Sequence, residues 1–459
     1  MRLDFSDLPL TNRAFSEKPM TFIDQAPKNF LAEVIELVAL ETGNRTAREY
    51  WQQKQLQNLL QHAAQRSAFW RNRIGTRKIG GISLSRLPIL TRGEVVKQAT
   101  DEGPLISPGD RIRTVKSSTS GSTGMPVRFF LSEMNPHYDA VRSIAQHFME
   151  GRDPTLNRTR FRPEPMVSKS SKKGFTVEKT DDWLGSLGAQ IRCGTNKHIE
   201  YFRPNIDALC EELERDSIGY LIVQPRLIET MLQDIDVAFF KRAGTAILTP
   251  MAEAVSPELR EAFSSVGIPV RASYSSEEVG TIGYECEKVP DSYHVATSNV
   301  IVEVVPDDSI QLTDKRIGRV LVTHLHSYAT PFIRYDIGDV ATLAKVCPCG
   351  HDGPALSNIY GRAKALLKHA DGRISIFHVR GKEMTALAKF DEYRMRQTDI
   401  NKIAVEIGGR DSLTPEETAA FIKLVKLHAG DEFDVSVKAV AQIDWGHSIK
   451  RPGFRSDVL

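Results

Sequence analysis

Between residues 30 and 65, apolar side chains recur three and four apart: Leu31, Val34, Ile35 and Val38, then Trp51, Leu56, Leu59 and Leu60, with charges and glutamines in the gaps. That spacing gathers them on one stripe, so the segment predicts amphipathic scaffold helices. From about residue 186 short apolar runs alternate with longer helical stretches. Ala189-Gln190-Ile191-Arg192-Cys193, Tyr220-Leu221-Ile222-Val223, Thr245-Ala246-Ile247-Leu248 and Ile268-Pro269-Val270-Arg271-Ala272 read as strands, with helices over 205–215, 225–242 and 256–266. This order predicts βαβ units around a parallel sheet. Residues 299–342 carry antiparallel strand material with alternating faces, including His324 and His326, whose pairing on one strand face reads as packing. A strand over 403–407, a helix over 415–428 and a strand over 433–440 follow. The expected fold class is α/β: a large N-terminal domain, 1–361, with a parallel βαβ sheet and an antiparallel β portion, then a small C-terminal α+β domain, 362–459.

One stretch cannot contribute to any core. Ser117-Ser118-Thr119-Ser120-Gly121-Ser122-Thr123-Gly124-Met125-Pro126 is a run of short hydroxyls and glycines, whose backbone N–H and O–H donors can converge on a phosphate. It is not a Walker loop, because Met125 and Pro126 stand where Lys and Ser or Thr are required. A flexible linker is the other reading of such a run. Strand-like Ile112-Arg113-Thr114-Val115 before it and Val127-Arg128-Phe129-Phe130-Leu131 after it favour a hairpin loop. Ligands of parallel sheets bind beyond the carboxyl ends of the strands. There lie Thr249-Pro250-Met251-Ala252-Glu253 and Ser273-Tyr274-Ser275-Ser276-Glu277-Glu278, candidates for the same pocket.

The 459 residues carry 60 basic and 58 acidic side chains, a net charge of +2, which leaves no electrostatic footprint for nucleic acid or an anionic membrane. No signal peptide or membrane span is expected, so the location is read as cytoplasmic. Five cysteines give no disulfide framework. Cys347-Pro348-Cys349-Gly350 puts two thiols one residue apart on a turn, which fits plain reduced thiols as well as a metal pair.

The Ser/Thr/Gly loop, Tyr274-Ser275-Ser276-Glu277-Glu278, Tyr335-Asp336-Ile337-Gly338-Asp339 and Gly361-Arg362, in this order and spacing, resemble the adenylate-forming superfamily of acyl-coenzyme A ligases, nonribosomal adenylation domains and luciferases. Leu87-Pro88-Ile89-Leu90-Thr91-Arg92 and the Cys-x-Cys turn look like its phenylacetate–coenzyme A ligase branch. The resemblance implies ATP, Mg²⁺ and coenzyme A as ligands and a carboxylic acid, aromatic or arylalkyl, as substrate. Thr119, Ser120, Gly121, Ser122, Thr123 and Gly124 match the residues that hold the β- and γ-phosphates, and Ala252, Glu253, Ser273 and Tyr274 match the adenine pocket. Glu278 matches the Mg²⁺ ligand, Asp339 the ribose contact, Arg362 a contact to the ribose or α-phosphate, Lys364 the hinge, and Lys450 the adenylation lysine. Positions near 129–138 and 183–189 would line the acyl pocket. In that branch a Cys and a His accompany the Cys-x-Cys turn. The matching Cys286 and His294, with Cys347 and Cys349, imply a structural Zn²⁺ site of Cys₃His type, His351 being the competing fourth ligand. Three departures stand out: Glu277 replaces Thr or Ser, no Gly precedes Lys450, and residues 365–379 lack the usual continuation. The resemblance therefore supports adenylation better than thioester formation. It leaves open a carrier protein or an amine as acyl acceptor, a degenerate nucleotide binder without turnover, and a monomer or a homodimer.

Overall fold

A computed structural model describes residues 30–98, 114–119, 127–164, 166–184, 191–253, 255–306, 317–359, 366–377, 379, 381–445 and 453–458. The predicted scaffold helices are Phe30–Thr42 and Arg45–Arg66. The chain breaks between them because the Asn44 side chain accepts from the backbone N–H groups of Thr46 and Ala47 and so starts a new helix. Val34, Leu37 and Val38 pack against Val141 and Ile144 of helix Asn135–Met149. Trp51, Leu56, Leu59 and Leu60 are buried in the same core as Val300, Val322, Phe332 and Tyr335.

That core lies against a seven-stranded antiparallel sheet with the order Val300–Val305, Ile317–His324, Tyr335–Ala344, Ala355–Ser357, Ser292–Val295, Gly280–Glu285, Ser273–Ser276. The motif carrying Tyr274 is therefore an edge strand, and Asp339 lies on a central one. His324 and His326 are buried, with His324 ending its strand and His326 in the turn beyond.

The second sheet runs Phe175–Thr180, Asn196–Tyr201, Arg158–Pro163, Gly219–Val223, Thr245–Pro250, parallel apart from its first pair. It confirms the βαβ reading and corrects three details. Ile191 and Cys193 are not in a strand; the strand starts at Asn196. The expected helix 225–242 is two helices, Pro225–Met231 and Ala238–Arg242; in the connection between them the Asp236 carboxylate accepts from the Ala238 N–H at 3.1 Å, an Asx turn that competes with a continuous helix. The run 268–272 keeps one bridge, Val270 to Leu248, since Pro269 has no N–H for a ladder.

From Leu366 onward a four-stranded sheet, ordered Asp434–Val440, Lys402–Gly408, Glu392–Asp399, Phe454–Ser456, is covered by helix Pro415–Ala429. Thr414 and Glu417 close a capping box on that helix. Phe421, Val425, Ile403, Val405 and Phe433 form its core. Among the described residues no helix is long and apolar enough to cross a membrane.

Candidate functional site

Thr114–Ser118 and Arg128–Ser132 pair antiparallel, as the hairpin reading of the Ser/Thr/Gly stretch requires. Past the last pair, the Thr119 N–H donates to the Val127 carbonyl at 2.9 Å and the Val127 N–H donates to Thr119 Oγ1 at 3.0 Å. Thr119 and Val127 therefore clamp the two ends of the 120–126 stretch together. Ser120, Gly121, Ser122, Thr123 and Gly124 lie outside the described residues, as do Arg362, Lys364 and Lys450.

Glu278 is buried. Tyr335 Oη donates to its Oε1 at 3.1 Å, and the Arg92 guanidinium meets the same oxygen at 3.4 Å through Nη1. Through Nη2, Arg92 also donates to Thr119 Oγ1 at 3.2 Å. The clamp of the loop and the expected Mg²⁺ ligand are thus joined by one arginine. Burial, reinforced by the negative charge of Glu278, pushes the Tyr335 phenol above its ordinary range, so it stays a donor.

On the same strand as Tyr335, Asp339 accepts a hydrogen bond from Tyr274 Oη at 2.6 Å. Gly338 between them has φ +85°, where a side chain is strained, and its N–H donates to Asp336 Oδ1 at 2.9 Å. Ala252 and Glu253 follow strand Thr245–Pro250 in a strained turn, Ala252 having φ +66°. Glu253 faces Arg226 at 3.9 Å. Phe129, Tyr138 and Trp183, expected near an acyl pocket, are buried core residues.

Sequence reasoning assigned Arg92 no role, although it lay in a run already singled out. The signal is structural. The Leu90 N–H donates to the Arg334 carbonyl at 3.0 Å and the Asp336 N–H to the Leu90 carbonyl at 2.9 Å, which stitches this run beside Tyr335.

Away from this site, one ligand atom each from Cys286, His294, Cys347 and Cys349 lies within 4.8 Å of all the others. Zn–S bonds of ~2.3 Å in a tetrahedron put ligand atoms about 3.8 Å apart, so the four fit a zinc ion after small adjustment. His294 Nε2 lies 3.3 Å from Cys349 Sγ. Burial, helped by the neighbouring His351, pushes the His294 imidazole down to about 4, keeping it neutral with a lone pair to offer. His351 is not among the four: its ring stacks on His294 at 4.3 Å and its backbone N–H donates to Cys349 Sγ at 3.4 Å. Burial opposes ionisation of Cys347, but hydrogen bonds from Ser292 and Cys349 outweigh it and lower the thiol's pKa. Cys193 is buried and Cys210 half-buried, both outside the cluster.

The whole architecture has a solved counterpart. A 2-hydroxyisobutyryl-CoA ligase in its postadenylation state, in complex with R3-HIB-AMP, matches 97% of this chain and 95% of its own at TM-score 0.67 and 15% identity. The chain has the adenylate-forming fold. The same ligase in its thioesterification state, in complex with 2-HIB-AMP and CoA, matches at TM-score 0.60, 16% identity and 96% of each chain. Protein CapK of Staphylococcus aureus is 23% identical over 287 residues, 61% of this chain and 59% of that relative, so the match spans less than two thirds of CapK. No family model matches the chain. Within the adenylate-forming fold, the loop clamp, the edge strand of Tyr274 and the central strand of Asp339 come from three separate stretches that the hydrogen bonds above draw together.

Proposed function

We propose that this chain is an ATP-dependent acid ligase, which converts a carboxylic acid to an acyl-adenylate with release of pyrophosphate and passes the acyl group to a thiol, coenzyme A in the first instance. The observation that carries this reading is the convergence of Thr119 and Glu278 on Arg92 and of Tyr274 on Asp339, in a chain whose sequence presents those residues in four separate motifs.

On this reading Thr119, Ser120, Gly121, Ser122, Thr123 and Gly124 receive the β- and γ-phosphates. Ala252, Glu253, Ser273 and Tyr274 line the adenine, and Asp339, oriented by Tyr274, takes the ribose hydroxyls. Arg362 reaches the ribose or α-phosphate, and Lys364 is the pivot between half-reactions. A carboxylate oxygen bonds to the α-phosphorus while that phosphorus loses its bond to the oxygen bridging to the β-phosphate, whose electron pair leaves with pyrophosphate. Two anions meet in this step, so positioned cations decide its rate. Mg²⁺, when bound, neutralises phosphate charge, and Glu278 is the carboxylate offered to it; Lys450 is the assigned lysine. In the second step the thiolate bonds to the acyl carbon as the bond to AMP breaks. Cys286, His294, Cys347 and Cys349 are read as a closed structural zinc site, with no open position for chemistry.

The branch resemblance suggests an aromatic or arylalkyl acid, and the structural neighbour acts on a hydroxy acid, so both belong in the test. Pyrophosphate release is measured with Mg²⁺–ATP against a panel of arylacetic, benzoic, short aliphatic and hydroxy acids, with and without coenzyme A. Acid-dependent release supports the reading, and absence of release with every acid of the panel refutes it in favour of a nucleotide binder. Acyl-adenylate formed but not consumed by coenzyme A moves the acceptor to a carrier protein or an amine.

A further inference from the structure

We propose that Arg160 and Arg162 form a wall of the acyl pocket and select an acid whose far end carries a second negative charge, a dicarboxylic acid in the simplest case; this rests on the adenylation reading above. Side chains alternate between the two faces along strand Arg158–Pro163. Thr159 and Phe161 are buried on one face, Phe161 in the core it shares with Leu209, Leu227 and Phe263, so Arg158, Arg160 and Arg162 share the other. The three arginines are not used alike. Arg158 donates to Asn196 Oδ1 at 3.1 Å and to the Trp183 carbonyl at 3.2 Å, and is committed to the fold. Arg160 and Arg162 are exposed, and among the described residues neither makes a hydrogen bond or an ion pair.

Their place is toward the carboxyl ends of the parallel strands, the edge at which such sheets bind ligands. Arg160 stands in register between His198 and Ile222 on the neighbouring strands, and the turn of Ala252 and Glu253 leaves the same edge after strand Thr245–Pro250. Burial and the Arg162 charge lower the Arg160 pKa, and the Glu277 charge offsets them only in part. Arg160 is thus within electrostatic reach of the residue next to Glu278. A guanidinium that meets solvent and is still desolvated belongs to the wall of a cleft, not to a convex surface. His198 adds an independent sign: its Nε2 is buried without a hydrogen-bond partner among the described residues. Glu200 lies opposite Arg162 in register but forms no ion pair with it. Two arginines that repel each other are relieved by an anionic group held between them through charge-assisted hydrogen bonds. A wholly apolar acyl group would instead cover those donors and leave them unpaired.

The test compares matched acids in the full chain: adipate against hexanoate and terephthalate against benzoate. Pyrophosphate release with Mg²⁺–ATP gives kcat/KM for each, and calorimetry of diacid binding needs no turnover. The wild-type chain is expected to favour the diacid of at least one pair by about tenfold or more. Arg160→Gln and Arg162→Gln should each cut that ratio by a comparable factor, chiefly through the KM of the diacid, and Arg160→Lys should keep part of it. No preference in either pair, a preference that survives both glutamine variants, or a loss that falls on the KM of coenzyme A instead of the acid overturns the assignment, as does a diacid that neither binds nor reacts. A diacid that binds the wild-type chain and not Arg160→Gln, with no acid turned over, leaves the assignment standing and sinks the ligase reading instead.

Discussion

At the scale of single residues, Glu278 concentrates the argument. Its carboxylate is buried, receives the Tyr335 hydroxyl at 3.1 Å and the Arg92 guanidinium at 3.4 Å, and on the proposed reading must also hold a hard cation. Glu278→Gln keeps an oxygen for Tyr335, so the fold should survive, but a neutral amide is a poorer ligand for Mg²⁺ and leaves Arg92 without its counter-ion. The expected result is a rise of roughly tenfold or more in the Mg²⁺ concentration needed for half-maximal pyrophosphate release, with the thermal midpoint changed far less. Equal Mg²⁺ dependence in the variant would remove Glu278 from the metal.

At the scale of elements, the thiol cluster joins two segments that no continuous element connects. Cys286 follows strand Gly280–Glu285 and His294 sits on strand Ser292–Val295, while Cys347 and Cys349 lie in the turn between strands Tyr335–Ala344 and Ala355–Ser357. Metal bound there ties both segments beside the strand that carries Asp339, and binding energy is folding energy at such sites. Cys347→Ser should lose close to one zinc per chain by elemental analysis and lower the thermal midpoint; a wild-type chain purified without metal and unaffected by chelator would refute the site. The pairing of distant cysteines became legible through family likeness, since spacing alone fits reduced thiols. Helix and strand texture was legible wherever side-chain polarity follows burial. It failed at Asn196–Tyr201, because inward-facing Lys197 is buried against the Glu212 carbonyl at 2.9 Å and Asp216 at 3.0 Å, so a core position reads as surface. Arg158–Pro163 was hidden likewise by alternating arginines. Arg92 was invisible for another reason: its role depends on a tie between Leu90 and Tyr335, 245 positions apart, which no local pattern encodes.

At the scale of the whole molecule, the four-stranded sheet and helix beyond Leu366 face the parallel-sheet body across a cleft of about 950 Å³ lined by Arg226, Glu253 and Tyr393 among others. The polar contacts across it are modest: Lys389 to Asp234 at 2.9 Å, Arg203 to Glu392 at 3.6 Å and the Arg226 guanidinium 5.3 Å from the Tyr393 ring centre. Lys389 and Asp234 are both exposed, and a pair of that kind contributes about 0–1 kcal/mol. The buried cores enclose neutral histidines. Burial, with the nearby Arg152 charge, pushes His147 down to about 4, and burial with the Arg142 charge pushes His326 down to about 3. His147 lies tilted against Trp183 and meets Tyr220 edge-on, and its Nδ1–H donates to the Ser143 carbonyl at 2.7 Å. In the unfolded chain a histidine takes up a proton near pH 6.5, before the folded one does. The unfolded state therefore binds more protons below that pH, and stability falls as pH drops from about 6.5 toward 4, while these groups contribute almost no slope above pH 7. For His147 alone the loss at pH 5 is about 2 kcal/mol. Thermal unfolding followed between pH 7.5 and 5 should show the midpoint falling only below about 6.5. His147→Gln, whose amide N–H can still meet the Ser143 carbonyl, should be less stable at neutral pH but have a shallower acid slope; an unchanged slope would mean that His147 is not held neutral in the fold.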